Sequence, residues 1–277
     1  MSHSIRISPK IKENESCFRE VFKDCADILF HTMELGRGKT VDCFVIYLEV
    51  AVSNMILEKS VLGKFINELC KVSGDEILER VEKNALGISD AVQLDTAEDV
   101  VAGVFAGDAV FFIDGYAHAV KISEKGYPSM GVSEADREKV LRGSKEGFTD
   151  SVKTNSALIR KRIRNPGMKV KEQTIGRRSQ TKIQILYIEG LARSEILEEL
   201  ETKLSDFEID GVLDSGVIEQ LIKENWLSPF PQFQTTERPD KCAMELLNGR
   251  VVLLVDNSPV GLLIPAVFND FLQVSED

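Results

Sequence analysis

The sequence lacks the patterns that indicate a secreted, membrane-spanning or zinc-binding chain. Its five cysteines form no C-x-x-C pair, leave an odd one over and have no histidine at zinc-ligand spacing, which favours a reducing, cytoplasmic compartment. The N-terminus has no secretory signal pattern, and no stretch reaches the roughly 18 unbroken apolar residues that a spanning helix needs. We therefore expect the chain as given to be soluble.

Catalytic motifs are also missing. Only three histidines are present, far apart at His3, His31 and His118, and no G-x-S-x-G, H-E-x-x-H or acidic calcium loop occurs. The segment GRGKT at 36–40 is similar to a phosphate-binding loop, but it lacks the leading glycine and precedes a strand pattern where such a loop needs a helix. The sequence therefore predicts a protein that is not an enzyme and has no cofactor and no metal site.

Charge is unevenly distributed along the chain. The net charge is −11, which argues against wholesale binding to nucleic acid. Residues 153–182 nevertheless carry ten Lys and Arg against Glu172 alone, a local net charge of +9. This segment contains no Phe, Tyr or Trp for stacking on bases, so nucleic acid is not expected as a partner. Two interpretations stay open: contact with an anionic membrane surface or acidic partner, and contact with another subunit.

The periodicity of apolar residues predicts alternating strands and helices. With 277 residues, of which 43% are hydrophobic, the chain can bury a sizeable core. Apolar positions between Phe18 and Thr32 follow helical spacing and predict an opening helix. In the first half we predict strands at 43–48 and around 108–122, and helices over 61–69, 75–84 and 97–106. In the second half, after an amphipathic helix that Asn165-Pro166-Gly167 ends, we predict strands at 182–188, 207–212, 231–236, 250–256 and 259–264, and helices at 194–204, 215–224 and 240–248.

The two halves also match residue by residue. A shift of 140 positions places FVIYLEVAVSNMILE (44–58) over QILYIEGLARSEILE (184–198), and a shift of 142 places GDAVFFIDG (107–115) over GRVVLLVDN (249–257). This similarity predicts an internal duplication and an α/β fold with two similar subdomains, each a small mixed sheet flanked by helices. We expect the first subdomain at 1–126 and the second at 127–277, which includes a basic helix and linker at 142–182.

Several motifs in register resemble the soluble N-terminal domain of the A subunit of bacterial spore germinant receptors, the GerA family. The resemblance covers 142–277 strongly and 14–122 more loosely. The matching segments are RGSKEGF (142–148), TNSALIRKRIRNP (154–166), TIGRRSQTKI (174–183), YIEGLA (187–192), DGVLDSG (210–216), TERPD (236–240) and GRVVLLVDNSPVGLLIPAVFNDF (249–271).

The resemblance implies a non-enzymatic role in spore germination. Such a domain precedes a bundle of membrane helices in the spore inner membrane and faces the spore core. It belongs to a complex with B and C subunits that senses nutrients and triggers ion release, and its A subunits are thought to oligomerise into the conducting pathway. The chain is then expected to be a domain of a longer protein that acts in receptor assembly and signal relay.

Charged residues of these motifs are the candidate contact sites. Arginine suits such contacts because its rigid guanidinium pairs with carboxylates bidentately. An alternative function is a bilobed domain that binds an amino acid, a sugar or an ion between its lobes. The candidate residues, for subunit or ligand contact, are Arg142, Glu146, Asn155, Arg160, Arg162, Arg177, Arg178, Glu237 and Arg238.

Overall fold

The chain folds into two compact units. This computed structural model describes residues 5–50, 61–82, 91–123, 138, 143–222 and 232–266. The first unit consists of Met1–Lys23, Asp27–Tyr127 and Arg164–Pro166, and the second of Asp24–Ala26, Pro128–Ile163 and Gly167–Asp277.

The first unit contains one five-stranded antiparallel sheet with helices around it. Its strands are ordered β1-β2-β4-β5-β3. The elements in chain order are α1 (Ile11–Val21), β1 (Ile28–Leu35), β2 (Val41–Leu48), α2 (Val61–Leu69), α3 (Gly74–Glu82), β3 (Ala91–Leu94), α4 (Ala97–Ala106), β4 (Ala109–Ile113) and β5 (Ala119–Ile122).

The second unit repeats this architecture. Its strand order, β6-β7-β9-β10-β8, is that of the first unit with every number raised by five. The expected α/β fold with two similar subdomains is therefore confirmed, although the sheets are antiparallel rather than mixed. The elements are α5 (Val152–Arg160), β6 (Met168–Ile175), β7 (Thr181–Ile188), α6 (Ser194–Ser205), α7 (Ser215–Ile222), β8 (Gln234–Thr236), α8 (Pro239–Leu247), β9 (Val251–Val255) and β10 (Gly261–Ile264).

Both faces of the second sheet are buried. Successive strand residues point to opposite faces, so Ile185 of β7 joins a core with α6 and α7, while Leu186 joins a core with α5 and α8. Strands buried on both faces need apolar residues at consecutive positions. This explains why β9 reads VVLLV with all five residues buried.

The edge strand β6 is completed by a segment from far away in the sequence. The Val170 N–H donates to the Asp24 carbonyl at 2.8 Å, and the Ala26 N–H donates to the Val170 carbonyl at 2.9 Å. The thiol of Cys25, also buried, lies 3.7 Å from the Met168 carbonyl oxygen. Residues 24–26 therefore belong to the second unit, as a short parallel partner of β6.

The predicted opening helix over 18–32 is wrong in its extent. Helix α1 covers Ile11–Val21, and the strand β1 begins at Ile28. Asp24 adopts a positive φ of 58°, a left-handed conformation that a continuing right-handed helix does not allow. Phe18 and Phe22 both face the core, so the helical spacing is real at its start, and the apolar residues of β1 extend the pattern by coincidence.

The predicted strand at 207–212 is also wrong. These residues belong to no sheet, because their backbone groups bond to the turn between β6 and β7. The Ile209 carbonyl accepts from the Arg177 N–H, and the Asp210 carbonyl accepts from the Arg178 N–H, each at 2.9 Å. A further strand, β6, lies within the basic segment, where no strand was predicted.

Candidate functional site

Asn155 fixes the start of helix α5 from inside the second unit. Its side chain is fully buried, accepts the Thr149 N–H at 2.7 Å and donates to the Thr149 carbonyl at 2.6 Å. The Asp256 carboxylate accepts the Val152 N–H at 3.0 Å and so satisfies an N–H group at the helix start that lacks a helical partner. The structure thus places Asn155 as a positioning group in the interior.

The first unit contains the same arrangement. The Asn14 side chain accepts the Ser8 N–H at 2.9 Å and donates to the Ser8 carbonyl at 2.7 Å. The Asp114 carboxylate accepts the Ile11 N–H at 3.0 Å. These residues precede their counterparts in the second unit by 141 or 142 positions, so the duplication extends to individual side-chain hydrogen bonds.

Glu146 connects two cations of the basic segment. Its carboxylate accepts from the Lys161 ammonium at 2.8 Å and from the Arg162 guanidinium at 2.7 Å. Partial burial would raise the pKa of the Glu146 carboxyl, but the hydrogen bonds and charges of both cations outweigh burial and leave this pKa below its usual value. Arg162 also donates to the Leu158 carbonyl and to the Ser144 hydroxyl. We call Glu146, Lys161 and Arg162 the Glu146 cluster.

A second charged group surrounds the start of α8. Arg238 precedes the helix and binds Asp240 bidentately, with distances of 3.1 Å and 2.7 Å. The hydrogen bond to Asp240 raises the pKa of Arg238. Burial would raise the pKa of Asp240, but Arg238 lowers it below its usual value.

Glu237 contacts the charged group at the start of α8 through its backbone. The Glu237 carbonyl accepts the Phe148 N–H at 2.8 Å, and the Glu237 N–H donates to the Glu138 carboxylate at 2.8 Å. Glu138 also contacts Lys241, with 3.3 Å between carboxylate and ammonium. The RGSKEGF and TERPD segments are therefore brought together, with charges paired within the chain. Glu138, Lys161, Asp240 and Lys241 also belong to these groups but were not among the candidates, although Lys161 and Asp240 lie within the matching motifs.

Arg160 does not lie where the sequence suggested. A contact with a subunit or a ligand needs an exposed guanidinium, but the Arg160 side chain is 0% exposed, and its guanidinium donates to the Met168 carbonyl at 2.8 Å. The helix packs against β7, β9 and α8, so polar side chains on its inner face, including Asn155 and Arg160, are covered. The expectation of a surface contact through Arg160 is wrong for this reason.

Arg177 and Arg178 are exposed at the turn between β6 and β7. The Arg178 guanidinium is 85% exposed and lies 3.8 Å from the Asp210 carboxylate. The turn itself is fixed: besides its bonds to residues 209 and 210, the Val212 N–H donates to the Ser179 hydroxyl at 3.0 Å. Gly176 has a φ of 90°, and a Cβ there would collide with the same hydroxyl. We call this turn, residues 176–180, the arginine turn.

Arg142, the remaining candidate contact residue, lies outside the described residues.

The structure also bears on the expected absence of a phosphate-binding loop, a metal site and a membrane span. GRGKT forms the turn between β1 and β2, so no helix follows it. Within the described ranges, no group of three or more His, Cys, Asp or Glu residues could hold a metal ion. Over the same ranges, no helix combines the length and the apolar character needed to cross a bilayer.

The family model of the Bacillus/Clostridium GerA spore germination protein matches residues 16–277. The chain belongs to the GerA family. The resemblance inferred from its motifs is thereby confirmed. In structure, this GerA-family chain is similar to the N-terminal domain of the A subunit of the Bacillus megaterium spore germinant receptor GerK3. The TM-score is 0.70 at 27% identity, over 96% of this chain and 98% of that one.

Curated relatives extend the comparison. The chain is 36% identical to the spore germination protein GerLA of Bacillus cereus over 275 residues, which cover 97% of this chain and 56% of GerLA. It is 35% identical to the uncharacterized membrane protein YfkQ of Bacillus subtilis over 273 residues, covering 98% and 52% respectively. Spore germination protein A1 of Bacillus subtilis is 33% identical over 271 residues, covering 98% and 52%. The chain thus spans about half the length of these relatives.

Proposed function

We propose that this chain acts as the N-terminal domain of a germinant receptor A subunit, in receptor assembly and in relaying the nutrient signal to ion release. Its partners would be the B and C subunits and further A subunits. The full-length protein would reside in the spore inner membrane, with this domain on the core side and without an enzymatic activity. Family membership and the similarity to the GerK3 A-subunit domain over nearly the whole chain support this proposal.

The arginine turn is the observation that carries the proposed docking role. Its two arginines are exposed, while its backbone N–H groups donate to the carbonyls of residues 209 and 210, and the Ser179 hydroxyl accepts the Val212 N–H. A group whose backbone is ordered before binding loses less conformational entropy when a partner arrives. Two adjacent arginines on such a turn suit carboxylates of a partner subunit.

In this proposal, the charged residues around α5 and α8 have a structural role and do not form the docking surface. Arg162 and Arg238 already bind Glu146 and Asp240, so a partner would have to displace an existing ion pair. We assign these residues to positioning the loop and helix starts of the second unit. The surface contact is assigned to Arg177 and Arg178.

The decisive experiment replaces both turn arginines in the full-length A subunit of the source organism. Arg177→Gln with Arg178→Gln should leave the amount of A subunit in spores unchanged, while co-purification of the B and C subunits and the rate of nutrient germination fall severalfold. The matched control is Arg193→Gln, another exposed arginine of the second unit. Undiminished co-purification and germination in the double variant would contradict the docking role.

An anionic membrane surface is the competing partner for the same turn. Sedimentation with vesicles containing phosphatidylglycerol distinguishes it, because lipid binding lost in the double variant, with subunit co-purification intact, would favour the membrane. The alternative of a small ligand between the lobes stays a prediction.

A further inference from the structure

Leu213 lies on the surface beside the arginine turn. Its side chain is 75% exposed, the largest exposed fraction among the large hydrophobic side chains of the described residues. Single exposed apolar residues are common on protein surfaces and by themselves indicate no function. The backbone around Leu213 distinguishes it, because the residues on both sides of it are fixed.

The chain before Leu213 is attached to the arginine turn and to the core. The Val212 side chain is buried, its N–H donates to the Ser179 hydroxyl at 3.0 Å, and its carbonyl accepts from the Thr181 hydroxyl at 2.6 Å. After Leu213, the Asp214 carboxylate accepts an N–H of the first turn of α7 at 3.2 Å. The position of Leu213 is thus ordered before any partner binds, which lowers the conformational entropy that binding costs.

The first unit has a shorter loop at the equivalent place. There the turn between β1 and β2 donates an N–H to the Val72 carbonyl, as the arginine turn does to the Ile209 carbonyl. One residue separates Val72 from α3, whereas five residues, 210–214, separate Ile209 from α7. Leu213 therefore lies in a loop that is longer in one copy of the repeat. Surface loops on a rigid scaffold are where binding residues are concentrated.

The turn itself also differs between the two copies. In the first unit, Lys39 of the equivalent turn forms an ion pair with Asp75 at 2.7 Å. A shift of 140 positions replaces Lys39 by Ser179, so the second unit lacks this pair. In the part of the chain that the structure describes, the Arg177 guanidinium has neither a hydrogen-bond nor an ion-pair partner. The second copy therefore presents an unpaired cation and an exposed leucine within one fixed region of its surface.

The charges of the loop favour a protein over a membrane as the partner. Glu208 and Asp210 precede Leu213 in the chain, Asp214 follows it, and all three are exposed. An anionic membrane surface attracts clusters of Lys and Arg, and it repels carboxylates, so it does not suit this mixture of charges. A protein surface can place a complementary group opposite each charge.

We infer that Leu213 and Arg177 together form the contact through which the arginine turn binds a B or C subunit. Leu213 enters an apolar pocket of that subunit, and Arg177 binds a carboxylate at the edge of the pocket. Protein interfaces combine an apolar core with a polar rim, and ion pairs of this kind make strong hydrogen bonds. The inference rests on the docking role proposed for the arginine turn and adds to it the apolar anchor and the chemistry of the partner's surface.

Substitution of Leu213 in the full-length A subunit tests the anchor. Leu213→Ser should leave the amount of A subunit in spores unchanged, because an exposed side chain contributes little to stability, while co-purification of the B and C subunits falls severalfold. Leu213→Met keeps an apolar side chain of similar volume and should retain co-purification. The matched control is Leu247→Ser, at another exposed leucine of the second unit, which should have no effect.

The inference and the docking role fail in different ways. If Leu213→Ser has no effect while the double arginine variant lowers co-purification, the inference is wrong and the docking role stands. If neither variant lowers co-purification, both are wrong. The inference is also overturned if Leu213→Ser retains the B and C subunits but loses sedimentation with phosphatidylglycerol vesicles, or loses co-purification of a second, differently tagged A subunit.

Two charged variants test the chemistry of the partner's surface. Leu213→Asp would bring a carboxylate close to the carboxylate at the edge of the pocket. Leu213→Lys can keep its aliphatic chain in the pocket and extend its ammonium to that carboxylate. We expect Leu213→Asp to lower co-purification severalfold more than Leu213→Lys does. An equal loss in the two variants would contradict the acidic edge of the pocket.

Discussion

Asn14 and Asn155 occupy equivalent places in the two units and make the same pair of hydrogen bonds. Each accepts an N–H and donates to a carbonyl of one residue, Ser8 or Thr149, six positions earlier in the chain. In each unit an aspartate just after the fourth strand in chain order accepts the first N–H of the neighbouring helix. One side-chain arrangement therefore attaches the helix start to the sheet twice in the molecule.

Asn155→Ala should lower the free energy of unfolding by roughly 2–3 kcal/mol. The substitution removes the buried Asn155 amide and leaves the N–H and the carbonyl of the half-buried Thr149 without their side-chain partner, and an unsatisfied buried group costs about 1–3 kcal/mol. Urea denaturation followed by circular dichroism measures the change. Asn248→Ala, at an exposed helix end, should stay within about 0.5 kcal/mol. Equal stability of both variants would show that the Asn155 hydrogen bonds contribute little.

Arg160→Ala should destabilise the chain by about 3 kcal/mol, whereas Arg178→Ala should change its stability by less than about 0.5 kcal/mol. The first removes a buried side chain and leaves the Met168 carbonyl without a charge-assisted donor. The second removes an exposed side chain. Unfolding midpoints in urea compare the two. If Arg160→Ala proved as stable as the unsubstituted chain, the guanidinium would not stabilise the interior.

Glu146→Gln should cost roughly 0.5–1 kcal/mol at pH 7, a magnitude typical of a partly exposed charge pair, and progressively less as the pH falls below 4.5. The folded state lowers the pKa of Glu146 from its usual 4.5. The folding stability that the ionised Glu146 carboxylate contributes is therefore fully present above pH 4.5 and is lost as the pH falls through the lower, native pKa. Stability measured against pH for both chains checks this. Glu198→Gln, at an exposed glutamate of α6, is the control, and an identical pH profile for all three chains would contradict the prediction.

The repeat and most helices were predictable because they depend on local patterns. The helix over 97–106 matches α4 exactly in its bounds, since Thr96 caps it with a side-chain bond to the Asp99 N–H and Gly107 ends it in a left-handed conformation. The strands with continuous apolar runs, β2 and β9, were predictable because burial on both faces requires such runs.

The missed features depend on tertiary contacts. Strand β6 reads MKVKEQTI, in which only the first four residues alternate between apolar and polar, too short a run to stand out in a basic segment. Lys169 is nevertheless buried and lies 3.5 Å from Glu189. The segment at 207–212 contains strand-forming residues and a buried Val212, but its hydrogen bonds go to the arginine turn. No periodicity in one sequence shows which surface a later segment will cover, so the burial of Arg160 was equally hidden.

The pairing of Asp24–Ala26 with β6 means that the second unit is not one continuous stretch of polypeptide. A fragment that begins after residue 26 retains the sheet order of this unit but loses the carbonyl and the N–H that bind Val170. Open backbone groups on an edge strand invite pairing with other chains. An isolated second half would therefore tend to aggregate through β6, and its folding would benefit from a supplied peptide that spans residues 24–26.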